Sequence, residues 1–224
     1  DAGRLAQAAQ VPDSLDLVRP YAFRLPVAPL DAARAERRTI ALPTIMRSYR
    51  ELQSQHEVLL VEGVGGVHVP MTPKMDVLDL IEKFCDEYGI NVALHNHDQK
   101  ASPVYWHPDN IVKACQGRSK RLGACADLGY WLRAGVDPIK AVNSLKDRLL
   151  TVQLHDLHAS GADGHDVPWG TGVGQTEQFI KEVHRLGLKP AMWGLEYSHN
   201  FLESLSEITK CVQFFNRISR QLAR

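Results

Sequence analysis

The sequence lacks an excess of charge of either sign, because its 26 Lys and Arg residues balance its 26 Asp and Glu residues. It therefore has no basic surface of the kind that nucleic-acid-binding proteins use to hold phosphates. No apolar run approaches the ~20 residues that a membrane-spanning helix needs. We accordingly expect neither a nucleic acid nor a membrane as a partner.

Cysteine is also scarce, with four residues in 224 and no C-x-x-C pair. Cys85 and Cys211 fall on apolar helical stripes, which favours buried free thiols over metal ligands or disulfides. We expect a cytoplasmic, reducing setting, or recombinant production of a chain whose first residue is Asp1 rather than Met.

What the sequence does contain, from about residue 57, is a repeated order of β-rich run, loop and amphipathic helix. The runs are nearly continuous in apolar residues, which suits parallel strands that are covered on both faces. Including one weaker run, about six strands are predicted, two fewer than a closed eight-stranded barrel needs. The predicted strands are Leu17–Phe23, Glu57–Glu62, Ile90–His95, Leu122–Asp127, Leu149–Asp156 and Lys189–Glu196.

Capping residues mark the helices between these strands. Asp137 followed by Pro138 predicts a helix start, and Gly89 and Gly187 are placed to end two other helices. The first 56 residues are predicted to be mainly helical, with helices over 2–10, 31–38 and 42–55. The whole pattern indicates an α/β protein with a mostly parallel sheet.

The first third of the chain carries a series of motifs in a specific order. Pro20–Phe23 (PYAF) and Pro26–Pro29 (PVAP) precede a helix, and Val58–Gly66 (VLLVEGVGG) and Val69–Thr72 (VPMT) follow it. This order and spacing resemble dethiobiotin synthetase over residues 1 to about 81. The resemblance implies a fragment of a P-loop-NTPase-like fold.

The same resemblance implies functional roles for five residues. A carboxylate at a strand end can bind Mg²⁺, and the backbone of a glycine-rich turn can hold anions. Asp1 and Glu62 would be the Mg²⁺ carboxylates, and Gly63, Gly65 and Gly66 would belong to the substrate loop. However, the sequence contains no G-x-x-x-x-G-K-[ST] phosphate loop. We therefore interpret these five residues as vestiges and do not expect ATP as a cofactor.

From about residue 82 the chain resembles a different family, the sugar phosphate isomerases and epimerases with xylose-isomerase-like TIM barrels. The resemblance covers the last four strand–helix units, a half-barrel. Four of its motifs lie at the carboxyl ends of predicted strands, where barrel enzymes place their active sites, and a loop motif, Val167–Gly172, accompanies them. The motifs are Val92–Asp98 (VALHNHD), Ala126–Tyr130 (ADLGY), Val152–Asp156 (VQLHD), Val167–Gly172 (VPWGTG) and Gly194–Tyr197 (GLEY).

This second resemblance implies a metal site at four strand ends. His95, Asp127, Gln153 and Glu196 would be the ligands of a divalent Mn, Zn or Co ion. Glu196 and His155 would be the catalytic residues, acting on a small sugar-like ligand. In isomerases and epimerases of this kind, the metal polarises the carbonyl of a hydroxy-ketone and a carboxylate moves the proton on the adjacent carbon.

The chain departs from the family pattern at four of these positions. His95 replaces a metal-binding Glu, Gln153 replaces the metal-binding His, His155 replaces a Lys, and Tyr130 replaces a His. Gln is a poor substitute for imidazole on a transition metal. Two alternatives stay open, a competent metal site and a metal-free pocket left from an ancestral one.

Neither parent is complete, and the junction falls inside a strand–helix unit near residues 76–83. We therefore hypothesise a chimera, engineered or recombined in nature, whose segments 1–81 and 82–224 merge into one domain. The first functional hypothesis is an α/β scaffold without efficient catalysis. The alternative is a metal-dependent enzyme of the sugar isomerase or epimerase type. Uncovered strand edges would aggregate, so we expect either an open sheet covered by the first segment or a homodimer.

Overall fold

A computed structural model describes residues 2–10, 12–57, 59, 61, 66–100, 103–200 and 202–223. The chain divides into two compact units, residues 1–84 and residues 85–224. The strand predicted over 57–62 includes residues 58, 60 and 62, which lie outside the described residues. Among the described residues, no helix is both long enough and apolar enough to cross a bilayer.

The first unit is mainly helical, as predicted, and adds one short antiparallel strand pair. Its small core contains Ala33, Ile40, Met71 and Val77. The last helix starts in this unit and continues into the second. The elements are α1 (Ala2–Ala9), α2 (Leu15–Val18), α3 (Pro29–Ala35), α4 (Leu42–Gln55), β1 (Pro70–Thr72), β2 (Met75–Asp76) and α5 (Val77–Tyr88).

The prediction of a strand over Leu17–Phe23 is wrong. Ser14 caps a short helix there, because its Oγ accepts a hydrogen bond from the backbone N–H of Leu17 at 3.3 Å. The residues that follow α2 form no regular element before α3. A local side-chain cap of this kind competes with strand formation, and the pattern of apolar residues does not report it.

The second unit alternates strands and helices. The predicted strands of this unit are present, although three are shorter than expected. The elements are β3 (Val92–His95), α6 (Pro108–Ala114), β4 (Leu122–Asp127), α7 (Leu128–Arg133), α8 (Pro138–Leu145), β5 (Leu149–Leu154), α9 (Thr176–Arg185), β6 (Met192–Leu195) and α10 (Leu205–Leu222).

These four strands form one parallel sheet in the order β3-β4-β5-β6. Neighbours in sequence are neighbours in space, as in a half-barrel, and over the described part of the chain the sheet does not close. The prediction of an α/β fold with a mostly parallel, half-barrel sheet is confirmed. Because all four strands run in the same direction, their carboxyl ends lie at one edge, and His95, Asp127, Gln153 and Glu196 lie at or beside these ends.

The helix boundaries predicted at Asp137, Gly89 and Gly187 are confirmed, whereas the helix predicted over 31–38 runs over Pro29–Ala35. The Asp137 side chain accepts hydrogen bonds from the backbone N–H groups of Ile139 and Lys140, at 2.8 and 3.2 Å. Gly89 and Gly187 follow the ends of α5 and α9 with φ of 68° and 67°. This left-handed conformation is one that glycine adopts without a steric penalty.

Two edges of the sheet have no strand partner among the described residues, the outer edges of β3 and β6. On β6, Met192 is 51% exposed. Coverage of these edges by a second copy of the chain stays a prediction.

A bulge in β5 explains why the middle of the sheet contains a glycine. The pairing of Ala124 with Leu149 is followed directly by that of Cys125 with Thr151, so Leu150 is an extra residue. A Cβ added to Gly123 would lie 2.2 Å from the backbone oxygen of Arg148 and 2.6 Å from Cγ of Leu150. Such distances require the strands to move apart.

We expect Gly123→Ala to destabilise the protein by about 1–3 kcal/mol, the usual cost of overpacking a core. The measurement is urea unfolding followed by circular dichroism. The matched control is Gly3→Ala, since a Cβ there meets nothing within 4 Å. Equal stability of the two variants would show that β4 and β5 are not packed this closely.

Candidate metal centre

Asp127 is the central residue of the candidate site. It ends β4, and its Oδ1 accepts a hydrogen bond from the backbone N–H of Tyr130 at 2.9 Å, which caps α7. Asn96 holds the backbone of Asp127 from both sides, donating to its carbonyl at 2.9 Å and accepting from its N–H at 2.8 Å. Both residues are fully buried. The other carboxylate oxygen, Oδ2, is therefore directed by a fixed backbone.

Two histidines and a glutamate surround this Oδ2. His95 Nε2 lies 3.0 Å from it, and His155 Nε2 lies 3.6 Å from it and 3.9 Å from Glu196 Oε2. The His155 side chain is 3% exposed, whereas the Glu196 side chain is 42% exposed. The cluster therefore has a closed side formed by Asp127 and His155 and an open side formed by Glu196.

Gln153 contributes a hydrogen bond to the open side. Its Nε2 donates to Glu196 Oε2 at 2.6 Å. A carboxylate can only accept, so the amide nitrogen of Gln153 must face Glu196 and its amide oxygen faces away. In this arrangement the Gln153 amide orients the carboxylate of Glu196.

Behind His155 lies a second carboxylate, Asp166. Its Oδ1 is 2.7 Å from His155 Nδ1, and its Oδ2 accepts from the backbone N–H and the hydroxyl of Ser198 at 3.0 and 2.6 Å. Arg133 lies 3.7 Å from the same Oδ2. The imidazole of His155 is thus held between two buried carboxylates.

This arrangement shifts the ionisation of all three groups. Burial opposes protonation of His155, but the carboxylates of Asp127 and Asp166 outweigh it and raise its pKa to about 9. Burial would raise the pKa of Asp127, but the neighbouring imidazoles of His155 and His95 hold it far below its usual range. Burial acts in the same way on Asp166, and His155 and Ser198 nevertheless lower its pKa to about 2. Without a metal, these shifts favour a protonated His155 between two ionised carboxylates.

The residues present fit a divalent cation. Donor atoms at about 2.0–2.2 Å from one ion lie roughly 3–3.5 Å apart. His155 Nε2 is close to that spacing, at 3.6 Å from Asp127 Oδ2 and 3.9 Å from Glu196 Oε2, and the donor atoms of all three residues lie within 4.8 Å of one another. His155 Nε2 is buried and makes no hydrogen bond to any described residue. A buried nitrogen without a partner costs free energy, and a cation bound to Nε2 would supply that partner.

Aromatic groups form one wall beside the cluster. The Tyr130 ring lies 4.0 Å from the ring of His97 and 6.1 Å from that of His95, measured between centroids. The Arg133 guanidinium lies 5.9 Å from the Tyr130 ring. Burial, with the charges of Asp127 and Glu196 nearby, raises the pKa of the Tyr130 hydroxyl. Tyr130 is therefore a neutral hydrogen-bonding group.

A glycine-rich loop is attached to the same edge through Asp156. This residue is 1% exposed, and its Oδ2 accepts from the N–H groups of Gly170 and Gly172 at 2.8 and 3.0 Å. Its Oδ1 accepts from the N–H of Gly174 at 2.7 Å. A Cβ on Gly172 would lie 2.5 Å from Asp156 Oδ1. A Cβ on Gly174 would lie 2.8 Å from the same oxygen, whereas one on Gly170 would lie 2.2 Å from the Phe214 ring. Gly172 and Gly174 are therefore required because the loop wraps around a buried carboxylate.

The structure brings together His95, Asp127, Gln153, His155 and Glu196, which the sequence had selected. Of the five residues assigned to a vestigial magnesium and substrate site, Asp1, Glu62, Gly63 and Gly65 lie outside the described residues. Gly66 is described, at the start of the turn that precedes β1, where a Cβ would meet nothing within 4 Å.

Sequence reasoning gave no role to three side chains that organise the cluster. Asn96 stands inside the H-N-H-D motif, and Asp166 and Asp156 flank the glycine-rich loop. For Asn96 and Asp156 the available signal was a position at or beside a predicted strand end, whereas Asp166 lies well inside the following loop. Loop residues of this kind carry no periodicity, so their contacts become visible only in three dimensions.

A half-barrel sheet with a carboxylate and imidazole cluster at its strand ends defines the class of the second unit, a barrel-type enzyme fold. The sequence matches the family described as Xylose isomerase-like TIM barrel over residues 4–214, and the chain belongs to that family.

Two solved structures are similar in fold. A D-tagatose 3-epimerase-like protein superposes with a TM-score of 0.54 at 16% identity, covering 66% of this chain and 53% of that protein. A xylose isomerase domain protein from Planctomyces limnophilus superposes with a TM-score of 0.52 at 17% identity, covering 71% and 58%. The chain thus spans little more than half of either protein.

The other resemblance is confirmed as well. The ATP-dependent dethiobiotin synthetase of Anaeromyxobacter dehalogenans (strain 2CP-C) is 40% identical over 80 residues, which are 36% of this chain and 36% of that enzyme. The chain therefore spans about a third of the length of this curated relative. The two resemblances expected from the motifs are both present in one chain.

We expect Asp156→Ala to destabilise the protein by roughly 2–4 kcal/mol, because it leaves three N–H groups of the loop without their acceptor. Thermal and urea unfolding measure the effect. Asp163→Ala, a change of an exposed acid in the same connection, should stay within about 0.5 kcal/mol of the wild type. A loss for Asp156→Ala no larger than for this control would contradict the role of the carboxylate.

Proposed function

We propose that the strand-end cluster binds one divalent cation through Asp127, His155 and Glu196 and supports isomerase- or epimerase-type chemistry. The observation that carries this proposal is the convergence of two carboxylates on Nε2 of His155, which lies 3.6 Å from Asp127 Oδ2 and 3.9 Å from Glu196 Oε2 and makes no hydrogen bond to a described residue. Mixed imidazole and carboxylate donors suit Mn²⁺, Zn²⁺ or Co²⁺. A bound cation of this kind would polarise the carbonyl of a hydroxy-ketone or hydroxy-aldehyde.

The burial of the two carboxylates favours different roles for them. Asp127 is fully buried, and it is committed to the N–H of Tyr130 and to His95. Its low pKa makes it a weak base, so it is suited to holding charge. Glu196 is 42% exposed, and the Gln153 amide donates to it at 2.6 Å. Glu196 is therefore the group that can take a proton from a ligand carbon and return it.

The ligand that this wall suits is small, polar and rich in hydroxyl groups. His95, His97 and Tyr130 offer ring nitrogens and a neutral hydroxyl. The guanidinium of Arg133, beside the Tyr130 ring, also lies near Asp166, and its Nε donates to the backbone oxygen of Gly164 at 3.0 Å. These groups favour the hydroxyl groups of a short sugar. The neighbouring D-tagatose 3-epimerase-like protein suggests ketohexoses as the first ligands to test.

A second candidate is an α/β scaffold, joined from two parents, that has no efficient catalysis. Gln153 stands where the family resemblance implies a metal-binding imidazole, and its amide faces Glu196. The chain also spans only 53% of the D-tagatose 3-epimerase-like protein. On this hypothesis the cluster remains an imidazolium between carboxylates and takes up no metal.

Metal content separates the two candidates. After removal of bound metal and dialysis against Mn²⁺, we expect about one ion per chain in the wild type, measured by mass spectrometry of the metal. Asp127→Asn and Glu196→Gln should each weaken binding at least tenfold, because each removes a charged ligand. Glu203→Gln changes an exposed acid on the chain that follows β6 and should bind as the wild type does. Absence of stoichiometric metal in the wild type would favour the scaffold.

Proton exchange tests the chemistry directly. With Mn²⁺ bound and a ketohexose in D₂O, we expect deuterium to appear at a carbon next to the carbonyl, as observed by proton NMR. Glu196→Gln should reduce this incorporation by at least a hundredfold, because an amide cannot accept the proton. Incorporation that is unchanged in Glu196→Gln would remove this residue from the proposed role.

A further inference from the structure

We infer that Asp166 is a positioning residue, which fixes the imidazole of His155 so that its Nε2 lone pair faces Asp127 and Glu196. This inference rests on the proposed function, since it concerns the ligand that His155 would offer to the cation. The family resemblance implies a metal-binding imidazole at the position of Gln153. This inference assigns that role to His155, two residues later. It also assigns a function to a loop carboxylate that motif comparison left without one.

The geometry of the strand explains why a shift of two residues works. Side chains alternate between the two faces of a strand, so Gln153 and His155 extend toward the same face. A shift of one residue would have turned the imidazole toward the helices. A shift of two keeps it on the face of Asp127 and moves it one pleat toward the carboxyl end. The imidazole there needs a new support, because β5 ends at Leu154.

Asp166 provides that support through the two oxygens of its carboxylate. Oδ1 lies 2.7 Å from Nδ1 of His155. When the ring is neutral, this contact keeps the proton on Nδ1, because a carboxylate accepts and does not donate. The lone pair is then on Nε2. Neutral imidazoles that bind metals are commonly oriented by a carboxylate on the other nitrogen.

The second oxygen connects this support to the strand that carries Glu196. Oδ2 accepts both hydrogen bonds from Ser198, at 3.0 and 2.6 Å, and Ser198 follows Glu196 by two residues. One buried carboxylate therefore sets the position of the end of β5 relative to the end of β6. The distance of 3.9 Å between His155 and Glu196 depends on this connection.

The surroundings of Nε2 independently support a role for this orientation in metal binding. Asp166 is 1% exposed, and burial of a charged side chain is costly unless it is paired. If the pair served stability alone, the ring could equally present both nitrogens to acceptors at hydrogen-bonding distance. Instead Nε2 is buried 3.6 Å from Asp127 Oδ2, with no hydrogen bond to a described residue.

The test combines metal affinity with the protonation pattern of one ring. In Zn²⁺-loaded wild type with ¹⁵N-labelled histidine, long-range ¹H–¹⁵N spectra should show His155 protonated at Nδ1 and metal-bound at Nε2. Asp166→Ala should weaken Zn²⁺ binding by about 10–100-fold, the usual effect of removing such a partner. Asp166→Asn keeps an oxygen that can accept from Nδ1 and should restore most of that loss.

Two further variants keep the result interpretable. Asp163→Ala, in the same loop, should leave Zn²⁺ affinity and the His155 spectrum unchanged. Ser198→Ala removes one hydrogen bond to Asp166 and should weaken Zn²⁺ binding by a smaller factor. This variant replaces Asp166→Ala in the test if Asp166→Ala does not fold. A wild type that binds no Zn²⁺ would overturn the proposed function together with this inference. A wild type that binds Zn²⁺, with affinity and His155 spectrum both unchanged in Asp166→Ala, or in Ser198→Ala if the first variant does not fold, would overturn this inference alone.

Discussion

The arrangement of the second unit depends on one buried charge, the carboxylate of Asp127. Removing a carboxylate from water is costly, so it must be paired and hydrogen-bonded on every side. The N-terminus of α7 satisfies one of its oxygens and two histidines approach the other. Asn96 fixes its backbone, which transmits the position of β3 to the end of β4. The positions of His95, Asn96 and His155 thus follow from the need to stabilise the buried carboxylate of Asp127.

The fold could be predicted from the sequence where local signals and burial agree. The parallel strands have nearly continuous apolar sequences because helices cover them. Asp137 and Gly89 mark helix boundaries through their own capping and backbone preferences. The prediction failed at residues 17–23, where Ser14 caps a short helix that apolar spacing cannot distinguish from a strand. The strand pair β1–β2 was not predicted either, because two or three residues are too few to show a period.

The candidate site was predictable to a different extent. Strand ends selected His95, Asp127, Gln153, His155 and Glu196, since parallel strands bring their carboxyl ends to one edge. Their relative roles were not predictable, because they depend on which atoms face each other. The orientation of the Gln153 amide follows from Glu196, and that of the His155 ring follows from Asp166. Neither contact has a fixed spacing in the sequence.

The glycine-rich loop limits how this protein can diverge. Gly170, Gly172 and Gly174 alternate with Thr171 and Val173, which are exposed, so N–H groups two residues apart face the same carboxylate. Insertion of one residue would turn a required N–H away from Asp156, whereas replacement of Thr171 or Val173 would leave the three hydrogen bonds intact. Descendants of this chain can therefore vary the surface of the loop by substitution, while its length stays under selection.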